Sequence, residues 1–191
     1  MNEKNTILIS LIAFPVTVLG IGKRIGVWTQ GCSIGCYGCM SKHTWEFDKT
    51  KSKDIDDLVN ELKNYQTKAI TISGGEPFEQ KNLLIFLQKL RAVGFEDVLL
   101  YSGYTQKYIF DDFLNHLEFI DALICEPFEH GNESTLLYKG SKNQKLIILN
   151  KKLENKYNGY ATLTKNKKLQ CFGNIIVGIP YQKDLEVING M

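Results

Sequence analysis

The chain has 191 residues, 43% hydrophobic and 23% charged, which is ordinary for a soluble globular protein whose core needs no disulfide staples. A net charge of +2, with only Arg24 and Arg91 as arginines among 23 basic residues, argues against dedicated nucleic-acid binding, where bidentate arginine is the usual reader. Five cysteines, an odd number, argue against a secreted disulfide framework.

In chain order, the first apolar run is Ile7 to Ile21. Its 15 residues are interrupted by Ser10, Pro15, Thr17 and Gly20 and fall short of the ~20 needed to span a bilayer. No small-residue cleavage site follows it, so buried strand material in a cytoplasmic protein is expected. Ile25–Thr29 reads as a strand leading into a cysteine-bearing loop. Lys53–Asn64 places Ile55, Leu58, Val59 and Leu62 at helical spacing. Ala69–Ser73 reads as a strand ending in Gly74-Gly75. Gln80–Val93 predicts a helix with Leu83, Leu84, Leu87 and Leu90 inward, stopped by Gly94. Asp97–Tyr101 is a strand, Thr105–Leu117 a helix, and Ile120–Cys125 and Lys145–Leu149 are further strands. This alternation predicts a parallel sheet with helices outside it and functional groups at the strand carboxyl ends.

Asn150–Lys168 is polar and reads as a loop-rich connection. Leu169–Phe172 and Ile175–Ile179, separated by Gly173-Asn174, read as a β-hairpin. The division expected is a core over residues 1–150 and a C-terminal extension over 151–191. A closed eight-stranded barrel takes about 250 residues, so an α/β fold of this length is expected to be an open, partial (β/α) barrel with a small hairpin extension. Lys139–Lys168 holds nine lysines against one acid, Glu154. A solvated surface is the favoured reading of that stretch over a docking surface for an acidic partner.

Three cysteines cluster as Gly31-Cys32-Ser-Ile-Gly-Cys36-Tyr-Gly-Cys39, a CxxxCxxC spacing on a Gly-rich loop. Three thiolates would leave one iron of a cubane 4Fe–4S cluster without a protein ligand, open for chemistry. Taken alone, the cysteines leave a structural zinc set completed by His43 as a serious rival. Cys125 and Cys171 stand singly beside apolar residues, where cysteines are usually small buried hydrophobes. The second motif is Ser73-Gly74-Gly75-Glu76-Pro77, directly after a strand. Its glycines permit close backbone approach to a ligand, and its acid can engage an amine. A lone GGE is weak, but with Ser73 34 residues after Cys39 the motif favours the cluster over zinc.

On these residues the chain resembles the radical S-adenosylmethionine (SAM) superfamily. Further blocks are similar to the activating proteins of class III anaerobic ribonucleotide reductases, in the same order from Gly20 to Leu149. They are Gly20-Ile-Gly22-Lys-Arg24, Gly31 to Trp45, Ser102-Gly103-Tyr104 and Gly140-Ser141-Lys-Asn143-Gln144. The resemblance implies Cys32, Cys36 and Cys39 as cluster ligands. Gly74, Gly75 and Glu76 would hold the SAM amino group, with Pro77 shaping the turn. Ser102, Ser141 and Asn143 would line the SAM site, with turn capping as the alternative for Ser141 and Asn143, and Tyr104 would either contact SAM or pack. No side chain is implied as catalytic itself, since the 4Fe–4S cluster and SAM carry the chemistry. His43 is expected near the cluster without ligating it, and Trp28 and Trp45 are expected to pack against the cluster loop.

The implied reaction is reductive cleavage of SAM to a 5′-deoxyadenosyl radical that abstracts hydrogen from a glycine of a partner glycyl radical enzyme. The electron would come from an external donor such as flavodoxin or ferredoxin, with no membrane and no nucleic acid involved. The alternatives are a radical SAM maturase acting on a peptide or another protein, and a zinc-stabilised interaction module. Two departures stand out. The activases carry Asp-Gly-x-Phe where this chain has Cys125-Glu126-Pro127-Phe128, and about 40 residues, including Gly178-Ile-Pro180, lie beyond the shared region.

Overall fold

The N-terminal apolar run folds as expected into strand material. In the computed structural model, which describes residues 5–165, 169–173, 175–181 and 183–184, β1 (Thr6–Val16) pairs antiparallel with β2 (Arg24–Thr29). On its other edge β1 pairs antiparallel with the short β3 (Ser52–Asp54). β2, β4 (Ala69–Gly74), β5 (Asp97–Tyr101) and β6 (Ala122–Cys125) run parallel, and β7 (Lys145–Ile148) returns antiparallel beside β6. The order is β3-β1-β2-β4-β5-β6-β7, an open seven-stranded sheet whose edges, β3 and β7, do not meet. The sheet is therefore mixed, with the parallel pattern confined to its four central strands.

Side-chain alternation divides the sheet into two buried faces. Ile25, Val27, Ile70, Ile72, Val98, Leu100 and Leu123 point to the helical face. There α1 (Ile55–Leu62) buries Ile55, Leu58, Val59 and Leu62, and α2 (Leu83–Ala92) buries Leu83, Phe86, Leu87 and Leu90. α1 starts where the Asp54 carboxylate accepts from the Asp56 and Asp57 amides, satisfying two of the orphan donors of the first turn. α2 begins three residues later than its periodicity predicts. Gln80 is drawn inward instead, accepting from Leu8 N (3.0 Å) and donating to Gln30 O (2.9 Å), which stitches β1 to the end of β2. The expected helix Thr105–Leu117 breaks into α3 (Gln106–Asp112) and α4 (Leu114–Leu117) at Phe113. The Phe113 ring leaves the helical path to pack on Phe78, 4.7 Å between centroids.

The opposite face is covered by the C-terminal part of the chain. Between Asn150 and Lys168 the structure holds a helix, α5 (Glu154–Ala161), and not only loop. α5 inserts Tyr157 and Tyr160 against Leu99, Ala122 and Ile124. Its polar sequence conceals this because an ionic anchor does much of the holding. Lys156 and the Tyr157 hydroxyl both reach Asp97, which is already paired with the fully buried Arg24 (2.7 Å). Arg24 also donates to Thr71 Oγ1 (2.8 Å) and Ile70 O (2.6 Å). Burial opposes charge on Asp97, but the Arg24 guanidinium outweighs it and, with Lys156 and Tyr157, holds the acid at about 2.

The hairpin is present as β8 (Leu169–Phe172) and β9 (Ile175–Gly178), a separate two-stranded sheet; Asn174 of its turn lies outside the described residues. Val177 packs with Val16 and Trp28, with Phe172 and Ile179 beside them. Trp28 thus lies beneath the hairpin, whereas packing on the cluster loop was expected. Cys125 is fully buried as expected, but Cys171 is exposed, because β8 turns it outward. Among the lysines of the 139–168 stretch, Lys139, Lys145 and Lys156 bond to other protein groups, while Lys142, Lys151 and Lys152 are exposed. Lys167 and Lys168 lie outside the described residues. Among the described residues no helix is long and apolar enough to cross a membrane.

Candidate active site

The loop after β2 is folded back on itself by backbone bonds. Gly31 N donates to Thr44 O (2.7 Å), Cys32 N to Trp45 O (2.9 Å) and Cys39 N to Cys36 O (3.1 Å). Gln30 Nε2 ties the base of the loop to Glu46 O (2.7 Å). The result brings Cys32, Cys36 and Cys39, all half-buried, onto one cavity of about 190 Å³. Burial pushes the Cys32 and Cys36 thiols up, so their ionisation depends on a metal's positive charge, which deprotonates a coordinating thiol.

The Ser-Gly-Gly-Glu turn after β4 lies against this loop. Gly75 N donates to Thr29 O and Glu76 N to Gly31 O, both at 2.9 Å. A Cβ on Gly75 would stand 2.2 Å from Gly31 O and 2.8 Å from Gly31 C. The glycine that sequence reasoning gave to ligand approach is required first for backbone-to-backbone contact between the two motifs. Glu76 is buried, and its carboxylate accepts from Ser102 Oγ (2.8 Å), Gly103 N (2.7 Å) and Phe78 N (3.1 Å). Burial nonetheless pushes the acid up to about 7. Pro77 opens the 3₁₀ turn Pro77–Glu79 that Glu76 caps.

The expected SAM-lining residues divide. Ser102 lines the cavity together with Gly74, Gly75 and Glu76. Tyr104 does not; its hydroxyl donates to Glu79 (2.9 Å), which also accepts from Ser33 N (2.8 Å) and so joins the β5 loop to the cysteine loop. Ser141 and Asn143 also stay off the lining. Ser141 Oγ accepts from Glu129 N (3.1 Å) and Asn143 Nδ2 donates to Pro127 O (2.7 Å), fastening the 126–144 loop, while the neighbouring Gly140 and Gln144 reach the cavity. Sequence reasoning missed the lining residues Tyr101, Phe128, Ile179 and Pro180, and gave Trp45, which lines the cavity, only a packing role. Tyr101 and Phe128 flank motifs that were seen, whereas Ile179 and Pro180 arrive through tertiary docking and carry no local signal. At the departure from the activase pattern, Glu126 holds a φ of +84°. This left-handed position, which favours glycine, is braced by the Glu126 carboxylate, which accepts from Gln106 N (3.2 Å) and Lys145 Nζ (3.1 Å).

Residues 18–147 match the family model described as "4Fe-4S single cluster domain". The chain belongs to this family. The donor set fits the family's group: three thiols from one loop face a single cavity, and the other two cysteines lie off it. Among the described residues no three His, Cys, Asp or Glu side chains converge on one ion, so the Cys₃His zinc set with His43 is not assembled. A cubane instead takes its thiolates on separate irons around a larger body. Relatives within the family include the anaerobic ribonucleoside-triphosphate reductase-activating protein of Haemophilus influenzae, 30% identical over 142 residues, 69% of this chain and 92% of that protein. The protein of the same name from Pasteurella multocida is 29% identical over 146 residues, covering 69% and 91%. That of Enterobacteria phage T4 is 27% identical over 139 residues, covering 68% and 86%. The chain is a radical SAM enzyme of the activase kind, and its cofactors are a 4Fe–4S cluster and SAM.

Proposed function

We propose that this enzyme installs a glycyl radical on a partner enzyme, such as an anaerobic ribonucleotide reductase. The observation that carries the reading is one cavity at the carboxyl ends of β2, β4 and β5 that gathers all three loop cysteines with Gly74, Gly75 and Glu76. When bound, cluster and SAM supply a 5′-deoxyadenosyl radical, made with one electron from an external donor of flavodoxin or ferredoxin type, to take hydrogen from a glycine Cα. Cys32, Cys36 and Cys39 would hold three irons, leaving the fourth open. Glu76, fixed by Ser102 and Gly103, would receive the SAM ammonium. Phe128, Tyr101 and Trp45 give the cavity apolar walls that exclude water. The same reading places the enzyme in the cytoplasm with its partner and reductant.

The test incubates reduced enzyme and SAM, without oxygen, with glycyl radical enzymes encoded nearby and records electron paramagnetic resonance spectra. A doublet that collapses when the partner's glycines are α-deuterated is expected. Deuterium transferred to 5′-deoxyadenosine from a free metabolite or from a non-glycyl peptide position, with no glycyl doublet, overturns the activase reading and leaves the SAM chemistry.

A further inference from the structure

The family match ends at residue 147, yet the cavity does not. Gly178, Ile179 and Pro180, at the end of the C-terminal hairpin, line the same space as the cluster cysteines and Gly75. A two-stranded hairpin is marginal in water on its own, so β8–β9 owes its position to docking. Gln170 is the polar latch: its Oε1 accepts from Thr17 N (3.0 Å) and its Nε2 donates to Pro15 O (2.6 Å). Val177 is the apolar one, 4% exposed against Val16 and Trp28. At the far end Lys165 Nζ sits 5.0 Å from the centre of the Tyr181 ring.

We infer that the hairpin is a wall of the SAM pocket, that Ile179 and Pro180 contact bound SAM, and that SAM and the docked hairpin hold each other in place. The inference rests on the SAM-binding reading above and extends the site into a part of the chain that the family match does not cover. Its physical ground is size. The cavity of about 190 Å³ is below the roughly 300–1,000 Å³ of pockets that enclose drug-sized ligands, so with a cluster against the cysteine wall a molecule as large as SAM meets the remaining walls, Ile179 and Pro180 among them. A wall that exists only when the hairpin is docked is thermodynamically coupled to the ligand, and such coupling is reciprocal. Whatever factor the docked hairpin adds to SAM affinity, SAM returns as protection of the hairpin.

The experiment uses full-length, cluster-loaded, unreduced protein under anaerobic conditions, so no turnover occurs. SAM affinity is measured by equilibrium dialysis, and amide hydrogen exchange in residues 169–177 is followed with and without SAM. Ile179→Ser, which alters the wall, and Gln170→Ala, which releases the latch away from the cavity, are each expected to weaken SAM binding by roughly fivefold or more. Iron content should stay that of the wild type, and Ile175→Ser on the exposed side of the hairpin should change nothing. SAM should slow hairpin exchange in the wild type and fail to do so in Gln170→Ala. Wild-type affinity in both variants, or exchange in the hairpin indifferent to SAM, overturns the inference. Wild-type protein that binds no SAM at all would instead overturn the SAM-binding reading, and this inference with it.

Discussion

A single methyl group at position 75 would collide with the carbonyl of Gly31 at 2.2 Å, and backbone on both sides leaves no flexible side chain to yield. Gly75→Ala must therefore push apart the two loops that carry the cysteines and Glu76. It is expected to lose iron during reconstitution as well as SAM cleavage, read from absorbance near ~400 nm and iron assay. Retention of full iron with loss of SAM cleavage alone would show that the glycine serves the ligand and not the loop contact. Glu76 is different, because its side chain touches amides and a hydroxyl and no cysteine loop backbone. Burial raises its acid from the ordinary 4.5 to about 7. A raised acid binds its proton more tightly folded than unfolded, so its contribution to stability is full below pH 4.5 and is lost as pH rises through 7. Denaturant titrations of SAM-free protein should show this decline between those limits. Glu76→Gln should lack it, though below pH 4.5 it is less stable than the wild type because its amide NH₂ faces the Gly103 N–H. Parallel pH profiles for the two proteins would remove Glu76 as the titrating group.

Elements whose packing partners lie nearby in sequence could be read in advance; those held from a distance could not. The strand and loop pairs that build the site were visible because Gly-rich turns follow apolar runs at Thr29 and Ser73, and the cysteine and GGE spacings mark them. α5 was hidden because its anchor, Asp97, is 59 residues from Lys156 and 60 from Tyr157, and two tyrosines among polar residues give no helical stripe. The break at Phe113 and the inward turn of Gln80 are likewise set by tertiary partners, Phe78 in one case and Leu8 and Gln30 in the other. Ser141 and Asn143 were recognisable as a motif, but spacing cannot say which of five consecutive residues faces the cavity. The anchor itself makes a prediction. Asp97→Asn leaves the buried Arg24 without its counter-charge and should cost about 3–5 kcal/mol in denaturant unfolding. Asp97 is depressed from its ordinary 3.8 to about 2, so its stabilisation is present above pH 3.8 and lost as pH falls through 2. The variant should therefore show a flatter acid limb than the wild type. A cost below about 1 kcal/mol, the range of an exposed pair, would mean that α5 is not held through this residue.

At the scale of the whole molecule, the core and the cluster site are built from different material. The helical face of the sheet buries Ile25, Val27, Ile70, Ile72, Val98, Leu100 and Leu123 against α1 and α2, and none of these contacts involves Cys32, Cys36 or Cys39. The cysteine loop is instead held by backbone bonds at its base and by Gln30 and Glu79. A metal that creates a fold supplies folding free energy outright, and its removal unfolds the chain. A metal seated on a prebuilt sheet supplies only the order of its own loop. Stripping the cluster with chelator and oxidant should accordingly leave far-UV circular dichroism and a single cooperative unfolding transition in place. Hydrogen exchange should accelerate in the cysteine loop, residues 31–45, and stay slow in β2, β4 and β5. The hairpin, whose Gly178, Ile179 and Pro180 share the cavity, should keep its exchange rate without the cluster, because its latches, Gln170 and Val177, hold to β1, the loop after it and Trp28 of β2. Global unfolding on cluster loss would place this chain with domains that a metal holds together, and would mean that the sheet alone does not set the stability of the fold.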